Sequence, residues 1–485
     1  MYRTLFLTYV FTFFSLSIGQ TLPPLPCTIN PTSFFDQTLN HDANSGSASA
    51  GNGAFKQKYQ LNTTHFKPGG PILFYQGAET SSINCIENTV LQDWAEEMGA
   101  MLAGLEHRFF GDSLPAGFNQ TAAAPEQYDP LTLNNTLLDS VNFIDRVFVL
   151  GGSYGGTLTT LLRLFHPDTF YGAIPSAPLI KSFGLDAQDP DRFEWFKWVS
   201  QVYRDESAEA AAKIKEAMLD FSQSLSSPSK LSKIADDARL CKPYPTNVTE
   251  WTTFYTSAVI MSYWYAAQFN YHYDNPATFN VSRPLDIIVN QTLSAANNTG
   301  EVIRIAPQLY DMRSQDLCLN WTSDRFGSDT VLDQEVFSVI TCKYLPANTI
   351  DIAPGGIFPP RDGYGNSARN CVNLGQSPTF ANKTNAEIIK IYRFTVPDLV
   401  KAKRILFTQG SYDPTTAVGP PVFPVSNDRD ATRTVLFHGL AHTEELNSGL
   451  RGPGTVGGGH SEALKLAHIV MKGTVMDWAG LAQGD

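Results

Sequence analysis

A serine flanked on both sides by glycines is the first candidate for chemistry in this sequence. Residues 151–155 read Gly-Gly-Ser-Tyr-Gly and fit the pattern G-x-S-x-G, with Ser153 at its centre. Glycines in this pattern allow a strand to turn sharply into a helix, which leaves the serine exposed at the corner. A serine hydroxyl in that position becomes a nucleophile when a neighbouring base removes its proton. We therefore predict that Ser153 is the nucleophile of an acyl-transfer reaction.

Two residues in the C-terminal part could complete such a site. A serine nucleophile needs a histidine as base and a carboxylate that holds this histidine in one tautomer. On sheets that carry this turn, the partners follow the serine in the order Asp or Glu, then His. Asp413 follows the apolar run Ile405–Phe407, and His442 follows the run Val435–Phe437. These positions predict a triad of Ser153, Asp413 and His442.

Other residues could fill the same two roles. His438 comes directly after its strand, and His460 lies beyond a glycine-rich stretch at the start of a helix, so we interpret both as structural. Asp428 and Asp430 belong to a polar loop, which is typical of solvated charges. His442 and Asp413 therefore remain the favoured base and carboxylate.

Acyl transfer also needs hydrogen-bond donors for the oxyanion that forms at the substrate carbonyl. The residue after the nucleophile supplies one backbone N–H, and the loop after an earlier strand supplies another. We predict that Tyr154 provides the first donor. The pair Gly77 and Ala78, which follows the apolar run Ile72–Tyr75, is predicted to provide the second.

Short apolar runs alternate with helical patterns around these residues. Strands are predicted at Ile72–Tyr75, Met101–Leu105, Val147–Leu150, Tyr171–Ile174, Arg404–Phe407 and Thr434–Phe437. Helices are predicted at Val90–Met98, Leu133–Ile144, Thr157–Phe165 and His460–Trp478. Strands separated by helices form a parallel sheet that is covered on both faces.

Between about Ser182 and Thr395 the pattern becomes mainly helical. Ala208–Phe221 and the aromatic-rich Phe254–Phe269 predict helices, whereas Ala353–Pro360 predicts a loop. The predicted fold class is therefore α/β, an α/β-hydrolase fold with an inserted, mainly helical cap. The hydrolase domain is predicted to comprise residues 20–181 and 396–485, and the cap residues 182–395.

The charge composition excludes one class of partner. The 485 residues include 35 basic and 47 acidic side chains, a net charge of −12, and no dense basic run. Phosphate binding needs a basic face, so we expect no nucleic-acid partner. No cysteines have the C-x-x-C spacing of zinc or redox sites, and we expect neither a metal nor another cofactor. The sequence does not indicate an oligomeric state.

The N-terminus predicts an export signal. A short basic start at Tyr2–Arg3 precedes the apolar stretch Leu5–Ile18 and small residues suited to cleavage before Gln20. Residues 1–19 are therefore predicted to be a signal peptide. No second long apolar run follows, so we predict a secreted protein without a membrane anchor, with the lysosome or vacuole as alternative destinations.

Export would bring the chain into a glycosylating and oxidising compartment. The six cysteines are an even number and predict structural disulfides, although their pairing does not follow from the sequence. N-linked glycans are predicted at the nine N-x-S/T acceptors, Asn62, Asn119, Asn134, Asn247, Asn280, Asn290, Asn297, Asn320 and Asn382.

Four stretches together resemble the secreted and lysosomal serine peptidases typified by prolylcarboxypeptidase and dipeptidyl peptidase II. They are Gly151–Gly156, Leu105–Pro115, Asp413–Pro414 and Ala441–His442. The resemblance implies the same triad, an α/β-hydrolase domain with a helical cap, and cleavage of peptides after proline. Within the second stretch, we assign Glu106–Arg108 a structural role and no direct chemistry.

More than one activity remains open at this stage. The favoured function is a secreted serine peptidase acting on peptide substrates through an acyl-enzyme, either as an exopeptidase or as a prolyl endopeptidase. A carboxylesterase or lipase on the same fold is the alternative, because a triad does not by itself choose amides over esters. A third hypothesis is a binding glycoprotein without catalytic activity. Serine carboxypeptidases of the vacuolar type are disfavoured, because they have glutamate where this chain has Gly152.

Overall fold

The computed structural model has a central sheet with helices on both faces. It describes residues 33–41, 53–80, 85–119, 123–184, 189–273, 281–296, 298–310, 318–321, 331–345, 349–366, 371–372, 374–448 and 461–481. Some features predicted from the sequence lie outside these residues, namely the signal peptide 1–19, Cys27, Asn280, Asn297 and His460.

The strands of the described chain belong to two sheets. Their bounds are β1 Ser33–Thr38, β2 Ala54–Asn62, β3 Ile72–Gln76, β4 Met101–Leu105, β5 Val147–Gly152, β6 Phe170–Ser176, β7 Thr349–Ile352, β8 Arg361–Asn366, β9 Leu406–Gly410 and β10 Arg433–Phe437. Eight strands form the main sheet in the order β1-β2-β4-β3-β5-β6-β9-β10, and β7 pairs with β8 separately. From β4 to β10 all neighbours in the main sheet are parallel, whereas β1 and β2 are antiparallel additions at one edge.

The helices follow the strands in the alternation that the sequence predicts. Their bounds are α1 Val90–Met98, α2 Leu133–Phe143, α3 Tyr154–Phe165, α4 Glu194–Glu206, α5 Ala208–Ser224, α6 Pro228–Asp237, α7 Val248–Phe254, α8 Met261–Gln268, α9 Pro284–Ser294, α10 Thr299–Leu309, α11 Val331–Tyr344, α12 Asn385–Ile391, α13 Val396–Ala402, α14 Thr415–Val418 and α15 Glu462–Ala479. A π-helical turn at Tyr255–Ile260 joins α7 to α8.

Alternate residues of the central strands face opposite sides of the sheet. On β3, Leu73 packs in a cluster with Trp94 of α1 and Trp478 of α15, whereas Phe74 packs in a cluster with Leu158 of α3. Both faces are therefore buried, which explains why these strands read as continuous apolar runs. This mostly parallel, doubly covered sheet, with the serine turn after β5, is an α/β-hydrolase fold.

The chain between β6 and β9 is mainly helical and shares its core with the sheet. The cluster that contains Phe74 and Leu158 continues without interruption to Trp195 of α4, Trp264 of α8 and Phe337 of α11. Because one hydrophobic core serves both parts, the described residues show no gap in packing that would mark a border. The borders near residues 182 and 395 stay predictions from the sequence pattern.

The edge strands β1 and β2 are missing from the sequence prediction, and a buried ion pair holds them. Arg108, after β4, donates from Nε to Asp139 Oδ2 of α2 at 2.7 Å and from Nη1 to Leu39 O at 2.8 Å. His41 Nε2 lies 2.9 Å from Asp139 Oδ1. Neither charged side chain of the pair is more than 1% exposed. The Arg108 side chain therefore supports the structural role predicted for Glu106–Arg108.

The cysteines and the helices bear on the predicted cellular location. Disulfides link Cys241 to Cys318 and Cys342 to Cys371, which fits the expectation of structural disulfides in an oxidising compartment. Among the helices of the described residues, none is both long enough and apolar enough to cross a membrane.

The predicted glycosylation sites differ in exposure. Asn62 is 2% exposed, its Nδ2 donates to Gln92 Oε1 at 3.1 Å, and its Oδ1 accepts from Thr64 N at 2.9 Å. Because a glycan is attached through Nδ2, the folded structure has no room for one there. Asn320 is half-buried, whereas the side chains of five acceptors are exposed, Asn119, Asn134, Asn247, Asn290 and Asn382.

Replacing Arg108 should destabilise the fold. The variant Arg108→Met leaves the Asp139 carboxylate buried without its cation, and we expect a loss of about 3–5 kcal/mol in the free energy of unfolding. The double variant Arg108→Met/Asp139→Leu should recover much of this loss because no charge is left buried. Urea unfolding followed by tryptophan fluorescence measures both, and a single variant within about 1 kcal/mol of the wild type would contradict the assignment.

Glycopeptide mass spectrometry should separate the acceptors by exposure. We expect Asn62 to be unmodified in the folded, exported protein, and Asn290 and Asn382 to carry glycans. Enzymatic deglycosylation in heavy-oxygen water labels each modified asparagine. A labelled Asn62 would mean that the side chain is accessible before the hydrogen bond with Gln92 forms.

Candidate active site

The turn between β5 and α3 places Ser153 in a strained conformation. Ser153 has φ 57° and ψ −124°, in a region that non-glycine residues rarely adopt and that costs about 1–3 kcal/mol. Its N–H donates to Ser176 O on β6 at 2.9 Å, and its carbonyl accepts from Thr157 N at 3.0 Å. The whole turn is made in this one residue, so α3 begins at Tyr154 rather than at the predicted Thr157.

Two glycines next to the serine allow other loops to approach it. A Cβ at Gly152 would lie 2.8 Å from Thr443 Cγ2, and a Cβ at Gly155 would lie 3.1 Å from Ala78 Cβ. The loop after β10 therefore packs on one side of Ser153 and the loop after β3 on the other. The same contact explains why a glutamate does not fit before the serine, since Thr443 fills that space.

The predicted base and carboxylate are in direct contact. His442 Nδ1 lies 2.6 Å from Asp413 Oδ2, and both side chains are buried, with 7% and 0% exposure. Asp413 also accepts hydrogen bonds from Thr415, from the backbone N–H at 3.0 Å and from the hydroxyl. These bonds fix the carboxylate after β9. The ring of Phe269 meets the ring of His442 edge to face, with 5.5 Å between centroids.

The competing residues lie in other surroundings. Asp428 pairs with Lys403 at 2.9 Å and Asp430 pairs with Arg404 at 2.6 Å, both in surface ion pairs at the other end of β9. The His438 side chain is exposed. The structure thus brings His442 and Asp413 together, and it brings neither alternative carboxylate to them. The catalytic role of the triad stays a prediction.

One of the predicted oxyanion donors is already used. The N–H of Gly77 donates to Leu105 O of β4 at 3.0 Å, and this bond continues the pairing of β3 with β4 past the end of the strand. The prediction for Gly77 is therefore wrong, because this N–H has a backbone partner. Among the backbone hydrogen bonds of the described residues, none uses the N–H of Ala78 or Tyr154 outside regular helix bonding. These two remain as the candidate donors.

Two buried glutamates next to this site escaped the sequence analysis. Glu79, directly after Ala78, is 3% exposed and its Oε2 has no hydrogen-bond partner. Glu445 is fully buried, and its Oε1 accepts from Ser176 Oγ at 2.6 Å and from Thr408 Oγ1 at 2.5 Å. Each glutamate follows a predicted site residue closely in sequence. That proximity was the available signal, but burial of a carboxyl cannot be read from a loop sequence.

Burial and the neighbouring carboxylates have opposite effects on the pKa of His442. Burial raises the pKa of Glu79 to about 7, and it also raises the pKa of Glu445. For His442, burial disfavours the imidazolium, but Asp413, Glu79 and Glu445 together outweigh it and raise the pKa above the ordinary value. The protonation of Glu79 and that of His442 therefore influence each other.

The sequence matches a known family over most of its length. A family model described as Serine carboxypeptidase S28 matches residues 47–452. Among curated proteins, Lysosomal Pro-X carboxypeptidase of Mus musculus is 30% identical over 244 residues, which cover 47% of this chain and 48% of that protein. The human protein of the same name is 36% identical over 140 residues, 26% of this chain and 28% of that one. Probable extracellular serine carboxypeptidase of Arthroderma benhamiae is 28% identical over 148 residues, 26% of this chain and 20% of that one. The chain thus matches about half or less of these relatives' length.

Solved structures show only a distant likeness. Proline iminopeptidase of Mycobacterium smegmatis is 11% identical, covering 88% of this chain and 97% of that one, with a TM-score of 0.32. A thioesterase domain from the curacin biosynthetic pathway is 10% identical, covering 92% and 99%, with a TM-score of 0.30. The fold assignment rests on strand order and on the helices that cover both faces of the sheet, not on these scores.

Replacing Glu79 should shift the pH dependence of the reaction at Ser153. Ionised Glu79 stabilises the His442 imidazolium, so Glu79→Gln should lower the pKa of His442 and move the acid limb of activity to lower pH. We expect Glu79→Gln to react about twofold or more faster than the wild type on the acid limb, and equally fast at high pH. The pH dependence can be measured as the rate at which an active-site phosphonate reacts with Ser153 between about pH 5 and 9.

Glu106→Gln is the matched control. Burial raises the pKa of Glu106 to about 7 as well, but its partners are Ser113, Asp112 and Lys58 and not His442. Its profile should follow the wild type. An acid limb that moves to higher pH in Glu79→Gln, or that moves equally in both variants, would contradict the assigned coupling.

Proposed function

The chain belongs to the serine carboxypeptidase S28 family, and we propose that it cleaves peptides after proline through Ser153, His442 and Asp413. Family membership makes it a serine-type peptidase, a hydrolase. The observation that carries the proposed triad is the buried 2.6 Å contact between His442 Nδ1 and Asp413 Oδ2. The loop that carries His442 packs against Gly152, next to the strained Ser153. A buried carboxylate facing one ring nitrogen is the arrangement that prepares the other nitrogen to act as a base.

The first half of the reaction follows from the tautomer of His442. Ionised Asp413 only accepts hydrogen bonds, so the neutral ring carries its proton on Nδ1 and leaves a lone pair on Nε2. That lone pair takes the Ser153 hydroxyl proton as Oγ attacks the substrate carbonyl carbon. His442 then gives the proton to the leaving amine, whose bond to the carbonyl carbon breaks and leaves an ester on Ser153. Water attacks the ester by the same route and restores the serine.

The negative charge on the carbonyl oxygen needs donors in both halves. We assign this role to the N–H groups of Tyr154 and Ala78. Tyr154 begins α3, so its N–H lies at a helix N-terminus, where the helix dipole favours an anion. The close approach of Ala78 to Gly155 brings the loop after β3 to this point. Donors fixed by the backbone need no rearrangement as the charge develops.

The names of the relatives support the proposed specificity for proline and the release of a C-terminal residue. Two of the three curated relatives described above are called Pro-X carboxypeptidases and the third a serine carboxypeptidase. We propose accordingly that the bond after proline is cleaved and that a free C-terminal residue is released. We also propose that the chain is exported, a view supported by its two described disulfides and exposed glycosylation acceptors.

Peptide cleavage should depend on Ser153 and on proline. We expect the purified protein to release the last residue of peptides ending in Pro-X, and Ser153→Ala to lower kcat by about 10⁴-fold or more while staying folded. Peptides with alanine in place of proline, and peptides with an amidated C-terminus, separate the requirements for proline and for a free carboxylate. Mass spectrometry of the products at acidic and neutral pH measures the dependence on Ser153, on proline and on the free carboxylate.

Ser182→Ala is a matched control for the serine substitution. The Ser182 hydroxyl is buried and has no hydrogen-bond partner, so its removal should change neither folding nor rate. Dipeptides released from the N-terminus, or internal cuts, would overturn the carboxypeptidase assignment. Ser153-dependent turnover of esters without any peptide cleavage would favour the carboxylesterase alternative.

A further inference from the structure

The helical insertion forms hydrogen bonds with both the backbone N–H and the backbone carbonyl of His442. The N–H of His442 donates to Gln268 O at 2.9 Å, and the hydroxyl of Tyr271 donates to His442 O at 3.0 Å. Gln268 ends α8, and Tyr271 follows within the same short segment. The residue proposed as base therefore has its ring fixed by Asp413 and its main chain fixed by the insertion.

A second pair of imidazole and carboxylate lies directly behind this contact. Glu444 Oε1 accepts from the backbone N–H of His272 at 3.0 Å and lies 2.9 Å from His272 Nδ1. Its other oxygen, Oε2, accepts from Ala441 N at 2.9 Å. One fully buried carboxylate thus connects the segment after α8 to the residue that precedes His442.

The proton positions in this pair follow from its other partner. Arg283 only donates, and its Nη1 lies 3.0 Å from His272 Nε2, so Nε2 accepts and Nδ1 carries the proton donated to Glu444. Arg283 is held in turn by Asp286, with bonds of 2.9 Å and 3.1 Å. The series Asp286, Arg283, His272, Glu444 therefore orients each donor toward its acceptor.

The loop that carries His442 needs such support. Thr443, the next residue, has φ 53° and ψ 18°, a left-handed conformation that costs a non-glycine residue about 1 kcal/mol or more. The loop keeps this conformation because Glu444 binds on one side to Ala441 and on the other to His272. Without the bridge, strain at Thr443 favours a different path for the backbone on both sides of His442.

We infer that His272 and Glu444 are positioning residues, by which the insertion holds the His442 ring at Ser153. The inference rests on the triad proposed above. Neither side chain has to touch the substrate. A displacement of a reacting group by about 1 Å costs roughly a hundredfold in rate, so loss of the bridge should lower the rate of chemistry rather than substrate binding.

Two substitutions at His272 test the bridge without emptying a fully buried site, since His272 is 21% exposed. His272→Ala removes the ring donor, whereas His272→Asn keeps an N–H donor close to the position of Nδ1. We expect His272→Ala to lower kcat by about tenfold to a hundredfold with KM changed less than about threefold. The rate of Ser153 phosphonylation by a small phosphonate should fall by the same factor. His272→Asn should recover most of the loss.

Tyr128→Phe is the matched control. Tyr128 also bonds to the chain between β6 and β9, from its hydroxyl to Glu335 Oε1 at 2.7 Å, and its ring packs against Phe109 and Phe118. Its kcat should equal that of the wild type.

The outcomes separate this inference from the proposed function. Wild-type kcat and phosphonylation in His272→Ala would overturn it, as would an effect on KM alone or equal impairment of His272→Ala and His272→Asn. Peptide cleavage that survives Ser153→Ala would instead overturn the proposed triad. Thermal melting of each variant confirms that the rates are those of folded protein.

Discussion

Asp413 is a carboxylate with no exposed surface, and it faces the ring of His442 at 2.6 Å. Burying such a charge costs several kcal/mol unless hydrogen bonds replace those of water. Here they come from His442 and from both donors of Thr415, two residues further on at the start of α14. The pair can form only because β9 and β10 are parallel neighbours, so that the loops after them leave the same edge of the sheet. The order of the strands is thus a condition for the charge pair, and Ser153 reaches the same edge from β5.

Four buried carboxyl groups lie at or behind this edge of the sheet, and they differ in their hydrogen-bond partners. Asp413 and Glu444 each face a histidine ring and accept further N–H bonds, so their ionised forms have partners. In the part of the chain that the structure describes, Glu79 and Glu445 form no ion pair, each leaves one oxygen without a partner, and burial raises the pKa of both. The negative charge around His442 therefore depends on pH. Protonation of these two carboxyl groups as the pH falls therefore weakens the stabilisation of the His442 imidazolium.

The sequence predicts the parts of this site that depend on local patterns. Ser153 could be identified because the strand, the glycine turn and the helix are contiguous, and Asp413 and His442 because each lies in the loop that follows a predicted strand. Gly77 was misassigned because its N–H is used by Leu105, a partner on another strand that the local pattern does not reveal. Glu79, the bridge from His272 to Glu444 and the edge strands β1 and β2 also depend on contacts between distant segments. Asn62 shows the same limit, since an acceptor motif contains no information on burial.

The insertion binds the residue proposed as base and is not only a cover placed over the sheet. Its core continues into the core of the sheet, the Phe337 ring of α11 packs edge to face on Tyr154 at 5.6 Å, and Gln268 and Tyr271 bind the backbone of His442. If the segment after α8 moved away from the sheet, two hydrogen bonds to His442 would break. A substrate of the proposed reaction therefore has to reach Ser153 without displacing this segment.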